Sequence, residues 1–235
     1  MHHFYSTDIS DETIRLSEEE SRHCTKVMRL SIGDDIVVFD GVGGKYHVTI
    51  TNDKKNVEGT ILRHLAGPIE NRFKLTIAVS PTKSSDRMEW MLEKLIEIGL
   101  AKIVFIKTEK GERSRLNEKR LYKKAVSAMK QSGNLWLPEI VTEVPYSQFV
   151  KEDKSDLKLI AHCFEEKKKE LTGEESARSV TIMIGPEGDF STNEISLANE
   201  YNFQPTSLGL SRLRTETAAV VACTLLNHFN VTLSK

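Results

Sequence analysis

The sequence predicts an α/β protein in two parts, a small β-rich unit over residues 1–70 and a larger unit with a mostly parallel sheet over residues 71–235. Three observations predict it. Short β-prone segments separated by turn residues fill the first 70 positions. The breaker Ala66-Gly67-Pro68 ends that pattern. Beyond it, short apolar runs alternate with stretches of helical periodicity, as strands and helices do when they take turns along a chain.

In chain order, Ser17 with Glu20 three residues later forms a capping box for a short helix carrying His23, Lys26, Val27 and Leu30. Ile36 to Phe39, Tyr46 to Ile50 and Gly59 to Leu62 read as strands, and Asp40-Gly41 with Gly43-Gly44 marks the hairpin between the first two. A helix beside a small barrel is the expected arrangement. In the larger unit, Phe73, Leu75, Ile77 and Val79 alternate with Lys74, Thr76 and Ala78 and read as a strand ending before Pro81. Met88, Met91, Leu92, Leu95 and Ile98 recur at helical spacing up to Gly99, the expected C-cap. Ile103 to Ile106, Leu157 to Ala161 and Val180 to Ile184 suit buried strands. Ser191 with Glu194 opens a helix through Leu197 and Ala198, and Ala218, Val221, Ala222, Leu225 and Phe229 give a final amphipathic helix. The charged segment from Glu165 to Arg178 is expected to be an exposed loop.

Composition narrows the function classes. Hydrophobic residues make up 39% of the 235 positions and charged residues 29%, and no apolar run approaches the about 18 residues a membrane-spanning helix needs. The start, Met1-His2-His3-Phe4-Tyr5, lacks the basic and apolar regions of a secretory signal, so a cytoplasmic setting is expected. Cys24, Cys163 and Cys223 are odd in number and widely spaced, which argues against a disulfide framework, and Cys163 and Cys223 are expected to be buried beside apolar runs. His23, His47, His64, His162 and His228 show no metal-ligand spacing, so no metal is expected. The net charge of −1 gives no global sign of a polyanionic partner, yet residues 102–130 hold 10 basic and 3 acidic side chains. That stretch is either a phosphate-facing surface or a solvated helix face.

Two segments carry chemistry. Ile182 to Gly188 is a strand running into Gly185-Pro186-Glu187-Gly188, where glycines allow a ligand close to the backbone. Leu208-Gly209-Leu210-Ser211-Arg212-Leu213-Arg214 feeds the last helix, with Thr215 as the expected N-cap and Glu216 in the first turn. Two arginines near a positive helix end are unfavourable unless an anion or carboxylate compensates them. Neither a dinucleotide fingerprint nor a phosphate loop accompanies these segments, and no serine or cysteine hydrolase signature is present.

Together these segments resemble the 16S ribosomal RNA uracil-N3 methyltransferase family, the RsmE type. The resemblance also rests on Lys83, Arg87 to Trp90, Lys94, Glu97-Ile98-Gly99, Glu112-Arg113-Ser114 and Lys130 to Gly133, and on His23, Val27, Arg29-Leu30, Gly33-Asp34 and Phe39-Asp40-Gly41 near the start. It implies an N-terminal PUA-like β-barrel that binds RNA, a SPOUT-type α/β domain threaded as a trefoil knot, a homodimer, and S-adenosylmethionine as methyl donor. It implies a cofactor site made by His162, Gly185, Pro186, Glu187, Gly188, Leu208, Gly209, Leu210, Ser211, Leu213, Thr217 and Ala218. The family commonly has a second glycine where this chain has Asp189.

Uracil N3 carries a proton that must leave, so Glu216 is the candidate base and Arg214 the candidate stabiliser of negative charge on the uracil oxygens; equally, Glu216 could pair with Arg212 or Arg214 and hold the loop. Lys26, Arg29, Lys83, Arg87, Arg113 and Arg115 are the candidate RNA contacts, acting on phosphates. The expected partner is 16S ribosomal RNA or the small ribosomal subunit. The alternatives are a knotted methyltransferase acting on another RNA such as tRNA, and a non-catalytic RNA-binding assembly factor.

Overall fold

A computed structural model describes residues 1–68, 73–112, 116–164, 168–171 and 177–233. Arg113 and Arg115 therefore lie outside the described residues, as do residues 165–167 and 172–176 of the segment expected to be an exposed loop. Two compact units are present, Met1–Glu70 with Val126–Leu137, and Asn71–Ala125 with Pro138–Lys235.

The first unit contains β1 (His2–Tyr5), β2 (Asp8–Ile9), β3 (Thr13–Arg15), α1 (Glu18–Arg22), β4 (Asp35–Phe39), β5 (Lys45–Asn52) and β6 (Glu58–Ala66). Their order in the sheet is β1-β4-β5-β6-β3-β2, with β1 and β4 parallel and the other pairs antiparallel. Phe4 of β1 and Ile14 of β3 come from opposite sides of this order, yet both join one core with Ile36, Val38, Val48 and Ile50. The sheet is therefore curled. Asp40 organises the β4–β5 turn, its Oδ1 accepting from the Val42 and Gly44 amides at 2.8 Å. The Ser17 side chain caps α1 by accepting from the Glu20 amide, but the Glu20 carboxylate turns to the Tyr5 amide and to Lys130 Nζ, so only half of the expected capping box forms. The helix also stops early: residues His23–Val27 form a π-helical turn, and Arg29 adopts a left-handed φ of 58°.

The second unit contains β7 (Lys74–Val79), α2 (Ser85–Ile98), β8 (Lys102–Lys107), α3 (Glu118–Ser132), β9 (Glu139–Pro145), α4 (Tyr146–Glu152), β10 (Leu157–Ala161), β11 (Lys169–Glu170), β12 (Ser179–Ile184), α5 (Thr192–Glu200), β13 (Gln204–Ser207) and α6 (Thr215–Leu233). The last turns of α3, with the turn that follows, cluster with the first unit, where Gly43 and Leu137 amides donate to Leu135 and Gly41 carbonyls. The strand order is β11-β13-β10-β12-β7-β8-β9, and every pair is parallel among the described residues. Both faces must then be covered. On one face Ala78, Val104, Ile106, Ile160 and Met183 pack with Tyr146, Phe149 and Val150 of α4 and Ile195 and Ala198 of α5. α2 and α6 pack against each other, Cys223 Sγ lying 3.8 Å from the Leu95 carbonyl oxygen, and α6 also meets β7 and β12. Cys223 is buried as expected, but Cys163 is exposed, lying in the loop two residues past the carboxyl end of β10.

Candidate functional site

Parallel α/β sheets bind ligands beyond the carboxyl ends of their strands. Here the loops leaving β10, β12 and β13 enclose a cleft of about 650 Å³. Ala161, His162 and Cys163 come from the first loop, Ile184 to Glu187 and Asp189 from the second, and Thr206 to Thr215 with Ala218 from the third and the start of α6.

The second loop is fixed from several directions. Gly185 is favoured by packing, since a Cβ there would lie 3.2 Å from the buried Phe190 ring and the ring would have to shift. The Asp189 amide closes a turn on the Pro186 carbonyl at 2.9 Å, and Lys110 Nζ donates to the Gly188 and Phe190 carbonyls at 3.2 Å. The turn then enters α5 through a complete capping box: Ser191 Oγ accepts from the Glu194 amide, and Glu194 Oε2 accepts from the Ser191 amide. The remaining carboxylate oxygen, Oε1, accepts from the Glu109 amide at 2.9 Å and so holds the loop after β8.

Two contacts tie the third loop to the second. Arg212 Nη2 donates to the Glu187 carbonyl at 3.0 Å, and Thr215 Oγ1 donates to the Gly185 carbonyl at 2.9 Å. This revises the expected role of Thr215. The Ala218 amide bonds the Arg214 carbonyl, so Arg214 holds the cap position and Thr215 is the first helical residue, its hydroxyl used between loops. Gly209 has a φ of 130°, a backbone conformation that a side chain would strain, and it leaves Leu210 fully exposed at the loop tip. His162 is buried, and its ring stands edge-on to Phe164 at 5.9 Å.

The structure thus brings together His162, Gly185, Pro186, Glu187, Leu208, Gly209, Leu210, Ser211, Leu213 and Ala218 around one cleft. Gly188 and Thr217 are not on its lining. Ala161, Cys163, Lys168, Asp189, Thr206, Ser207, Arg212 and Thr215 line it without having been read as cofactor-binding from the sequence. The signal for Thr206 and Ser207 is the carboxyl end of β13, a strand whose Gln-Pro-Thr-Ser sequence has no apolar pattern.

The two candidate catalytic residues diverge. Arg214 is exposed on the cleft, whereas Glu216 is buried and faces α2, its Oε1 lying 3.8 Å from Arg87 Nε. Residues two apart at a helix start point to different sides, which separates them. The partner of Glu216 is therefore Arg87 and neither Arg212 nor Arg214. The same Arg87 guanidinium lies 3.9 Å from Glu187 Oε1 and so stands between a carboxylate of the second loop and one in the first turn of α6.

The basic stretch is largely neutralised where it is described. Arg120 pairs with Asp86 and Glu89 and Lys124 with Glu93, forming a ladder between α3 and α2, and Lys83 pairs with Glu112 at 3.0 Å. Lys26 and Arg29 of the first unit are exposed. Among the described residues no group of three or more His, Cys, Asp or Glu side chains could hold a metal ion, and no helix is long and apolar enough to cross a membrane.

Comparison with known proteins agrees with this architecture. Residues 69–227 match the model of an RNA methyltransferase domain, and residues 16–62 that of an RNA methyltransferase PUA domain. The crystal structure of a probable rRNA-methyltransferase from Porphyromonas gingivalis is similar at 37% identity and a TM-score of 0.90, covering 99% of this chain and all of that one. A ribosomal RNA small subunit methyltransferase E from Neisseria gonorrhoeae, bound to S-adenosyl methionine, is similar at 28% identity and a TM-score of 0.82, over 97% of each chain. The protein of that name from Buchnera aphidicola is 30% identical over 90% of this chain and 86% of its own. A curled sheet carrying a PUA match, joined to a parallel α/β unit with a looped cleft at its strand ends, places the chain in the RNA methyltransferase family that includes ribosomal RNA small subunit methyltransferase E.

Proposed function

We propose that the protein transfers a methyl group from S-adenosylmethionine to N3 of a uridine in 16S ribosomal RNA, acting in the cytoplasm as a homodimer whose larger unit is threaded as a trefoil knot. The observation that carries this reading is the cleft itself, formed by three loops at the carboxyl ends of parallel strands and cross-tied by Arg212 and Thr215. Its volume of about 650 Å³ suits a cofactor of this size, and its lining suits the parts: Ile184, Leu208, Leu213 and Ala218 offer apolar contact to an adenine ring, while Arg214 and Lys168 add cationic groups. S-adenosylmethionine supplies the electrophilic methyl group. The chain's part is to hold donor and acceptor in line and to favour loss of the N3 proton.

In this reading Arg214, exposed on the cleft, stabilises the negative charge that grows on the uracil oxygens as N3 gives its proton to solvent water. Glu216, buried against Arg87, holds α2 to the start of α6 and keeps Arg214 in place, a positioning role. His162, Gly185 to Glu187, Leu208 to Ser211, Leu213 and Ala218 hold the cofactor, with Gly188 and Thr217 supporting the loops from behind. Residues 1–70 dock RNA through Lys26 and Arg29, and residues 71–235 carry the transfer, with Lys83, Arg113 and Arg115 as further phosphate contacts, while Arg87 is engaged by Glu187 and Glu216.

Cofactor binding separates this reading from a non-catalytic RNA-binding factor. A ligand that binds only the folded chain at a hundred times its Kd adds about 2.7 kcal/mol, so S-adenosylmethionine at that excess raises Tm by about 5–10 °C. An unchanged Tm, with RNA binding retained, favours the binding factor.

A further inference from the structure

We infer that Asp189 is a positioning residue for the cofactor cleft, a latch that fixes the loop after β10 against the loop after β12; the inference rests on the methyltransferase reading of that cleft. Asp189 has a φ of 62°, a left-handed conformation that non-glycine residues seldom adopt and that Asp and Asn tolerate best. What holds it there is visible. The Asp189 amide donates to the Pro186 carbonyl at 2.9 Å, Asp189 Oδ1 accepts from the Phe190 amide at 2.9 Å, and Asp189 Oδ2 reaches across to accept from the Cys163 amide at 2.8 Å.

The last bond is the informative one. Strands β10 and β12 are hydrogen-bonded neighbours up to the pairing of Ala161 with Ile184, and beyond it the sheet ladder ends. Cys163 lies two residues past that point and Asp189 five, so the carboxylate extends the connection between the two chains into the region where they become walls of the cleft. A charged acceptor makes a stronger bond than a neutral one, and it acts on a backbone amide whose position also sets that of the buried His162. Glycine at this position would adopt the same φ without strain but would offer no carboxylate. The chain thus exchanges backbone freedom at residue 189 for a tie between two loops. Because the Asp189 carboxylate is spent on the backbone amides of Cys163 and Phe190, its effect is on the shape of the cleft walls and falls on cofactor affinity more than on turnover.

The test uses the full chain and three variants, Asp189→Gly, Asp189→Ala and Asp189→Asn. S-adenosylmethionine affinity is measured by calorimetry, methyl transfer gives KM and kcat separately, and alkylation of the exposed Cys163 reports the loop directly. Asp189→Gly keeps the left-handed backbone and loses the tie, so Kd and KM for S-adenosylmethionine rise about tenfold, kcat stays within about twofold, and Cys163 alkylation without cofactor speeds up several-fold. Asp189→Asn keeps a carbonyl acceptor in a tolerated conformation and recovers most of the affinity. Asp189→Ala loses both tie and tolerance and falls below Asp189→Gly. Wild-type affinity and wild-type Cys163 reactivity in Asp189→Gly overturn the latch while leaving the methyltransferase reading intact. Failure of the wild-type chain to bind S-adenosylmethionine overturns that reading, and this inference with it.

Discussion

Replacing Thr215 with valine isolates one contact between the two loops that the sequence marks as chemical. The substitution keeps the side chain's volume and β-branching, and threonine and valine have nearly equal helix propensities, so packing and helix formation change little. What disappears is the hydroxyl that donates to the Gly185 carbonyl at 2.9 Å from a residue only 4% exposed. Gly185 is itself buried, so its carbonyl loses a partner that water does not readily replace, at a cost of about 1–3 kcal/mol. For a chain of this length each kcal/mol moves Tm by about 2–4 °C, and a loss near the middle of that range lowers it by about 4–8 °C. Thr224→Val is the matched control. It removes a hydroxyl bonded to the Val220 carbonyl within the same helix at an exposed position, where the expected change is within about 0.5 kcal/mol. Thermal unfolding of both variants decides, with KM for S-adenosylmethionine rising only in Thr215→Val. Equal Tm losses in the two variants, or a Thr215→Val chain within 1 °C of wild type as a rough limit of the method, refute the claim that this bond joins the loops.

Three further outcomes follow from other contacts. At neutral pH iodoacetamide modifies Cys163 first and S-adenosylmethionine protects it, while burial pushes the Cys24 thiol up to about 11 and the Cys223 thiol up to about 12 and leaves both unreactive until unfolding; peptide mass spectrometry reads the order, and early loss of Cys223 contradicts the packing of α6 on α2. Arg87→Ala and Glu216→Gln are each destabilising in urea and are coupled by about 1 kcal/mol in the double variant, whereas additive effects mean that the 3.8 Å pair contributes nothing. Hydrogen bonds from the Ser179 hydroxyl and amide hold the Asp156 carboxyl below the usual carboxylate range, so its stabilisation is complete above the unfolded carboxylate pKa near ~4 and is lost as pH falls through the lower folded value. The Tm gap between wild type and Asp156→Ala therefore closes on acidification from pH 6 to about 3, and a gap independent of pH argues against a charge effect.

Local signals were legible where local physics decides the outcome. The buried runs at Ile103–Ile106, Leu157–Ala161 and Val180–Ile184 each became a core strand, because a parallel sheet covered on both faces asks only for apolar residues. Ser191 and Glu194 formed the full capping box that their spacing announces. Strands that take their stability from pairing were missed. β13 is Gln-Pro-Thr-Ser, and β9 is mostly half-exposed at the sheet edge with a positive φ at Glu143, so neither shows an alternating pattern. The Ser17–Glu20 box formed only by half, since tertiary partners, the Tyr5 amide and Lys130, claimed the carboxylate.

The same division holds at the site. Both loops were readable from glycine, proline and charge, but the pairing of Glu216 with Arg87 joins residues 129 positions apart and could not be read from their neighbours. The basic excess of residues 102–130 is partly compensated in the fold for a related reason. Arg120 and Lys124 meet their acidic partners on α2, a compensation invisible when charges are counted along one segment.

The most direct test of the proposed activity is transfer of labelled methyl from S-adenosylmethionine to small ribosomal subunits that lack base methylation, with naked ribosomal RNA and tRNA in parallel and nucleoside analysis of the products. Uridine-N3 methylation requires labelled 3-methyluridine in 16S ribosomal RNA, abolished or strongly reduced by Arg214→Ala. Label confined to tRNA, or no labelled nucleoside in any RNA from a chain that binds the cofactor, would contradict it.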